Sequence, residues 1–132
     1  VCPMHQFITV RQVQALKEQY PEAPVIAHPE CRSEVLALAD AIGSTEKMIG
    51  MSKESPSDDI IILTEVGMKH RLEKECPGKR FHFAENVVCT AMKMIDLMSV
   101  LTVMENMNNQ VQLDEKTMKE AYRPVKRMID TQ

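Results

Sequence analysis

At 132 residues, 44% hydrophobic and 27% charged with a formal charge of −3, the chain can bury a core of its own and has the composition of an ordinary soluble domain. The mild negative charge leaves no electrostatic footprint for a nucleic-acid backbone, and the longest strongly apolar block, Ile60-Ile61-Ile62-Leu63, is far shorter than the roughly 20 residues of a membrane span. No secretory pattern is visible, Val1 stands in first place, and Cys2-Pro3-Met4-His5 opens abruptly; the expectation is a piece of a longer polypeptide.

Thr9 can cap a helix to about Tyr20, with Val10, Val13, Leu16 and Tyr20 on one face and Pro21 as its stop. Val25-Ile26-Ala27, between Pro24 and Pro29, reads as a short buried strand. Ser33 is expected to cap a second helix through Val35, Leu36, Leu38, Ala39 and Ile42, ended by Gly43. Ser44-Thr45-Glu46 starts a short helix through about Met51, ended near Ser55-Pro56. Asp59 to Leu63 is the clearest strand, a β-branched run suited to burial on both faces of a parallel sheet. A helix from about Gly67 to Glu75 and a strand from Arg80 to Phe83 complete a βαβαβ alternation, which implies parallel strands and right-handed crossovers. Beyond Cys89 the pattern turns helical through Met107. Asn108-Asn109 breaks it, Val111-Gln112-Leu113 is a candidate lone strand, and Asp114 caps a last helix to about Ile129, kinked or broken at Pro124. Residues 1–94 therefore read as an α/β domain, and 95–132 as a helix-strand-helix extension in need of a partner surface.

Parallel strands would bring three loops to one edge: His28-Pro29-Glu30-Cys31, Thr64-Glu65, and Ala84 to Cys89. Ligands of helix-covered sheets sit at such edges. His28 and Glu30 can give and take protons there; the bland alternative is a turn in which His28 caps a carbonyl and Glu30 faces water. Gly43-Ser44-Thr45 is a separate helix start able to hold a carboxylate or phosphate. The four cysteines, Cys2, Cys31, Cys76 and Cys89, contain no CxxC and suit free or metal-bound thiols of a reducing compartment. Cys2 and Cys89 are candidates for a soft metal or an iron–sulfur cluster, and Cys2, His5 and Cys89 for zinc. Eleven methionines and no tryptophan suit a core filled by flexible thioethers.

Cys2-Pro3-Met4-His5, His28-Pro29-Glu30-Cys31, Gly43-Ser44-Thr45, Thr64-Glu65-Val66-Gly67 and Cys89-Thr90-Ala91-Met92-Lys93, in that order and spacing, resemble the quinolinate synthase family, the iron-sulfur enzymes of de novo NAD biosynthesis. The resemblance runs through nearly the whole chain, to Arg123 and Arg127-Met128. It implies three pseudo-threefold-related α/β domains, with residues 1–94 as the third, a three-layer αβα domain with a short parallel sheet, and the C-terminal helical extension packed on the first. It implies a four-iron four-sulfur cluster in the centre, bound here by Cys2 and Cys89, with the third cysteine ligand in an N-terminal part absent from this sequence.

The activity implied is a transferase reaction in the cytoplasm, condensing iminoaspartate with dihydroxyacetone phosphate to quinolinate. L-aspartate oxidase or aspartate dehydrogenase would act upstream, and no nucleic acid or membrane partner is implied. His28, Pro29, Glu30, Ser44 and Thr45 match substrate-binding positions, Glu30 as proton shuttle and His28 as hydrogen-bond donor. Two thiolates cannot hold the family's cluster, so the chain alone is expected to be inactive. The competing reading is a non-catalytic α/β binding or interaction module.

Overall fold

The computed structural model describes residues 2–131, which fall into two compact units, one up to Met92 and one from Lys93 onward. The first contains α1 (Pro3–Gln6), α2 (Val10–Gln19), β1 (Val25–Ala27), α3 (Ser33–Leu36), β2 (Ala41–Ile42), α4 (Thr45–Glu54), β3 (Asp59–Leu63), α5 (Met68–Glu75) and β4 (Arg80–Phe83). Helix α6 (Thr90–Lys93) lies at the boundary, and α7 (Leu97–Asn106) and α8 (Glu115–Asp130) follow.

Local chemistry explains most of these boundaries. Thr9 starts α2 with a capping box: its hydroxyl accepts the Gln12 N–H, and the Gln12 side chain accepts the Thr9 N–H at 2.9 Å. Strand β3 is fully buried from Ile60 to Leu63, because its neighbours and helices on both faces leave no solvated side. Each of its isoleucines contributes about 2 kcal/mol of hydrophobic stabilisation.

All strand pairs are parallel, in the order β2-β1-β3-β4. Ile26 faces Ile62 across β1 and β3, and Ile62 faces Phe83 across β3 and β4. Alternate residues feed two cores. One joins Val25, Ala27, Ile61 and Leu63 to Val13 of α2 and Val35 of α3; the other joins Ile26, Ile60, Ile62 and Phe81 to Met48 and Ile49 of α4 and Leu72 of α5. The α/β class is thus observed, with a four-stranded parallel sheet between helical layers.

Two local expectations are corrected, and two others are made definite. The helix expected from Ser33 to Ile42 stops at Leu36 after one turn, with Arg32 rather than Ser33 at its N-cap, and Ala41–Ile42 pairs with Ile26 and Ala27 as an edge strand. The spacing of Val35, Leu36, Leu38 and Ala39 imitates a longer helical stripe, yet Leu38 and Ala39 reach the core from the turn beyond α3. Helix α4 runs to Glu54, and Ser55 is its C-cap, where the stop at Ser55-Pro56 is expected. Val111–Leu113 forms no strand, since a strand needs a paired edge. The last helix is as expected, and of the two alternatives at Pro124 the break is excluded, since α8 continues through it.

Candidate active site

Because the sheet is parallel, its loops leave the carboxyl edge in the spatial order Gly43–Thr45, His28–Cys31, Thr64–Gly67 and Ala84–Cys89. The chain turns from β1 toward β2 on one side, while β3 lies on the other, so the strand order reverses between β1 and β3. Open α/β sheets have their ligand crevice at such a point. Ser44 and Thr45, expected as a separate helix start, belong to this edge through β2.

Glu30 organises the turn after β1. Its carboxylate accepts the Cys2 N–H at 3.1 Å, and its carbonyl accepts the Gln6 side-chain amide at 2.5 Å, so α1 is held at both ends. The same carboxylate lies 3.7 Å from His5 Nδ1 and 3.9 Å from His28 Nδ1. The two imidazoles are stacked, with centroids 4.0 Å apart and planes at 10°. His28 Nδ1 accepts the Glu30 N–H at 3.3 Å. A nitrogen that accepts from an amide carries the lone pair, so neutral His28 keeps its proton on Nε2.

His5 is buried, with Nε2 2.9 Å from Thr64 Oγ1 and Nδ1 lacking a hydrogen-bond partner among the described residues. Burial lowers its pKa, the neighbouring His28 lowers it further, and Glu30 opposes them; the ring is neutral near pH 7. Cys2, His5 and Glu30 bring one ligand atom each within 4.8 Å of one another. Among the described residues this trio is the group with metal-site spacing, and the zinc candidate Cys2, His5 and Cys89 is not.

All four cysteines are free, Cys2 and Cys89 half-buried and Cys31 and Cys76 buried. Burial pushes the Cys31 thiol up to about 11 and raises that of Cys76, which makes both poor thiolate donors. Cys31 donates instead to the Leu63 carbonyl at 3.6 Å.

Cys89 is held from a different side. Glu65, only 7% exposed, accepts the Cys89 N–H at 3.2 Å with one oxygen and the Gly67 N–H at 2.6 Å with the other. Val66 N–H also bonds the Val87 carbonyl at 3.0 Å. The sequence assigned Thr64 and Glu65 no individual role; their signals were their place after a strand and their presence in the Thr64-Glu65-Val66-Gly67 motif. At the far end of the edge, Ser44 caps α4 by accepting the Lys47 N–H at 3.4 Å, and Thr45 is half-buried in its first turn. Pro29 is exposed and shapes the turn between His28 and Glu30.

A family model described as quinolinate synthetase A protein matches residues 1–130. Curated relatives include the quinolinate synthases of Aquifex aeolicus, 37% identical over 98% of this chain and 42% of its own length, and of Methanosarcina barkeri, 42% identical over 97% of this chain and 42% of its own. A third, from Dehalococcoides mccartyi, is 40% identical over 97% of this chain and 43% of its own length. The chain therefore spans less than half the length of these relatives.

Proposed function

The chain belongs to the quinolinate synthase family, and from that premise we propose that it is the C-terminal part of a cytoplasmic transferase that condenses iminoaspartate with dihydroxyacetone phosphate to quinolinate. Its share of the site is two thiolate ligands, Cys2 and Cys89, for a four-iron four-sulfur cluster, and a wall of the substrate pocket. The observation that carries this reading is the convergence on one sheet edge of two half-buried free thiols with the His28–Glu30 turn. Soft, accessible thiols suit iron–sulfur ligation; the raised, buried thiols of Cys31 and Cys76 do not. The unpartnered Nδ1 of His5 beside Cys2 likewise suits a chamber that is completed by a bound group.

When bound, the cluster supplies a Lewis-acidic iron that polarises a substrate oxygen. The protein's own residues do the rest. His28 presents Nε2–H as a hydrogen-bond donor to a substrate oxygen. Glu30 moves protons, with its carboxylate already facing two imidazoles. Ser44 and Thr45, at the positive end of α4, hold a substrate carboxylate or phosphate, and Pro29 fixes the spacing of His28 and Glu30. The missing third cysteine and the remaining substrate contacts lie in the rest of the longer protein, whose first domain receives the C-terminal extension. The chain alone is then inactive. Iminoaspartate is supplied by L-aspartate oxidase or aspartate dehydrogenase.

The test uses the full-length protein that carries this segment, purified without oxygen. Cys2→Ser and Cys89→Ser should each abolish the brown cluster absorbance, bound iron and turnover. A Cys89→Ser protein that kept its cluster and activity would overturn the ligand assignment. The Cys2–His5–Glu30 trio supports a second reading, a mononuclear soft-metal site. Stoichiometric zinc that survives Cys89→Ser and disappears with His5→Ala would favour that reading.

A further inference from the structure

Two adjacent residues after β3 reach in opposite directions. Thr64 Oγ1 meets His5 Nε2 at 2.9 Å in the segment that carries Cys2, and Glu65 accepts the N–H of Cys89 at 3.2 Å. Successive side chains leaving a strand point to opposite sides, so one dipeptide touches both thiol-bearing segments. From this arrangement we infer that Glu65 is a positioning residue for Cys89: its buried carboxylate ties the loop after β4 to Gly67, the N-cap of α5, and fixes where the Cys89 thiol sits.

The geometry has the form such a role requires. Glu65 is almost fully buried, and each carboxylate oxygen takes one backbone N–H, Gly67 at 2.6 Å and Cys89 at 3.2 Å. Hydrogen bonds to a charged acceptor are about twice as strong as neutral ones, and an amide left without its acceptor in a buried place is costly. The Val66–Val87 backbone bond draws the same two loops together but stops two residues short of Cys89. Glu65 is the described contact that reaches the cysteine itself. Glu30 does the equivalent for Cys2, through the Cys2 N–H at 3.1 Å, so the two thiol segments are pinned in the same way by carboxylates from different strand ends.

This inference rests on the reading of Cys89 as a ligand for its purpose, yet it is tested without any cluster. The measurement is the rate of iodoacetamide alkylation at each cysteine of the metal-free 132-residue chain, resolved by peptide mass spectrometry. Glu65→Gln keeps the shape but sets an amide NH2 against one of the two backbone donors. We expect labelling of Cys89 to accelerate about tenfold, with Cys2 unchanged and the buried Cys31 and Cys76 still protected as internal reporters of the fold. Thr64→Val, which removes only the His5 contact, should leave Cys89 at its original rate.

An unchanged Cys89 rate in Glu65→Gln would overturn the proposal. So would an equal rise at all four cysteines, which would make Glu65 a general stabilising residue. A selective rise at Cys89 in a protein whose Cys89→Ser variant still holds a cluster would leave the positioning role intact and refute the ligand reading instead.

Discussion

In the unit up to Met92, apolar side chains are enclosed: Ile61, Leu63, Val35 and Met48 are completely buried on the two faces of the sheet. In the unit from Lys93 onward no described residue is buried, and Leu97 is 87% and Met107 81% exposed. Both regions have good helical patterning. Met118, Tyr122, Val125 and Ile129 form a clean stripe along α8, and Asp96 and Asp114 cap α7 and α8 by accepting the Ser99 and Thr117 N–H groups at 2.7 and 2.9 Å. Spacing and caps therefore suffice to specify a helix, whereas enclosure needs a second surface, which the sheet provides in the first unit. Helices of 10 and 16 residues are marginal in water without one.

The contrast is most directly tested by truncating one apolar side chain in each unit. Ile61→Ala should cost about 3 kcal/mol, and Leu101→Ala less than about 0.5 kcal/mol, both read from urea unfolding followed by circular dichroism. Equal costs would break the comparison. Next in size is cap removal. Thr9→Ala should lower the unfolding free energy by about 1 kcal/mol, while Asp114→Ala should reduce helical ellipticity and leave the urea midpoint of the sheet domain in place.

The smallest effect is one of pH. At the amino end of β3, Arg80 Nε donates to Asp59 at 2.8 Å and His82 Nε2 lies 2.8 Å from the same carboxylate; these bonds, Arg80 first, hold its carboxyl well below the usual carboxylate range. The unfolded chain then binds the proton at higher pH than the folded one. The contribution is present above about pH 4 and is lost as pH falls through that value toward the lower folded pKa. The urea midpoint should drop between pH 5 and pH 3 (about one unit either side of the free carboxyl), and Asp59→Asn should flatten part of that drop. The Asp114 carboxyl is also held low, by the Thr117 hydroxyl and N–H, but its protonation should change only the helicity of α8.

Strands at 25–27, 59–63 and 80–83 were legible because each is a compact apolar or aromatic run between turn-forming residues, and because a buried parallel strand has no solvated face to disguise it. The two-residue β2 was not, since its identity lies in pairing with Ile26 and Ala27 rather than in its own residues. The missing strand at 111–113 has the same cause in reverse. At the site, the sequence pointed to His28 and Glu30 through their place after β1. It could not place Glu65 against Cys89, or His5 against Thr64, 59 positions away, because both contacts are products of the sheet order. Nor could it bring Ser44 and Thr45 to the shared edge without β2.

The 59-residue separation between His5 and Thr64 also has a temporal consequence. Cys2 and His5 are synthesised before Glu30, and Thr64 follows later still. Until β3 has joined the sheet, the His5 ring has no Thr64 to orient it, and the Cys2 thiol stands outside the enclosure that later half-buries it. The Cys2 thiol is therefore more open to oxidation before β3 pairs than after it.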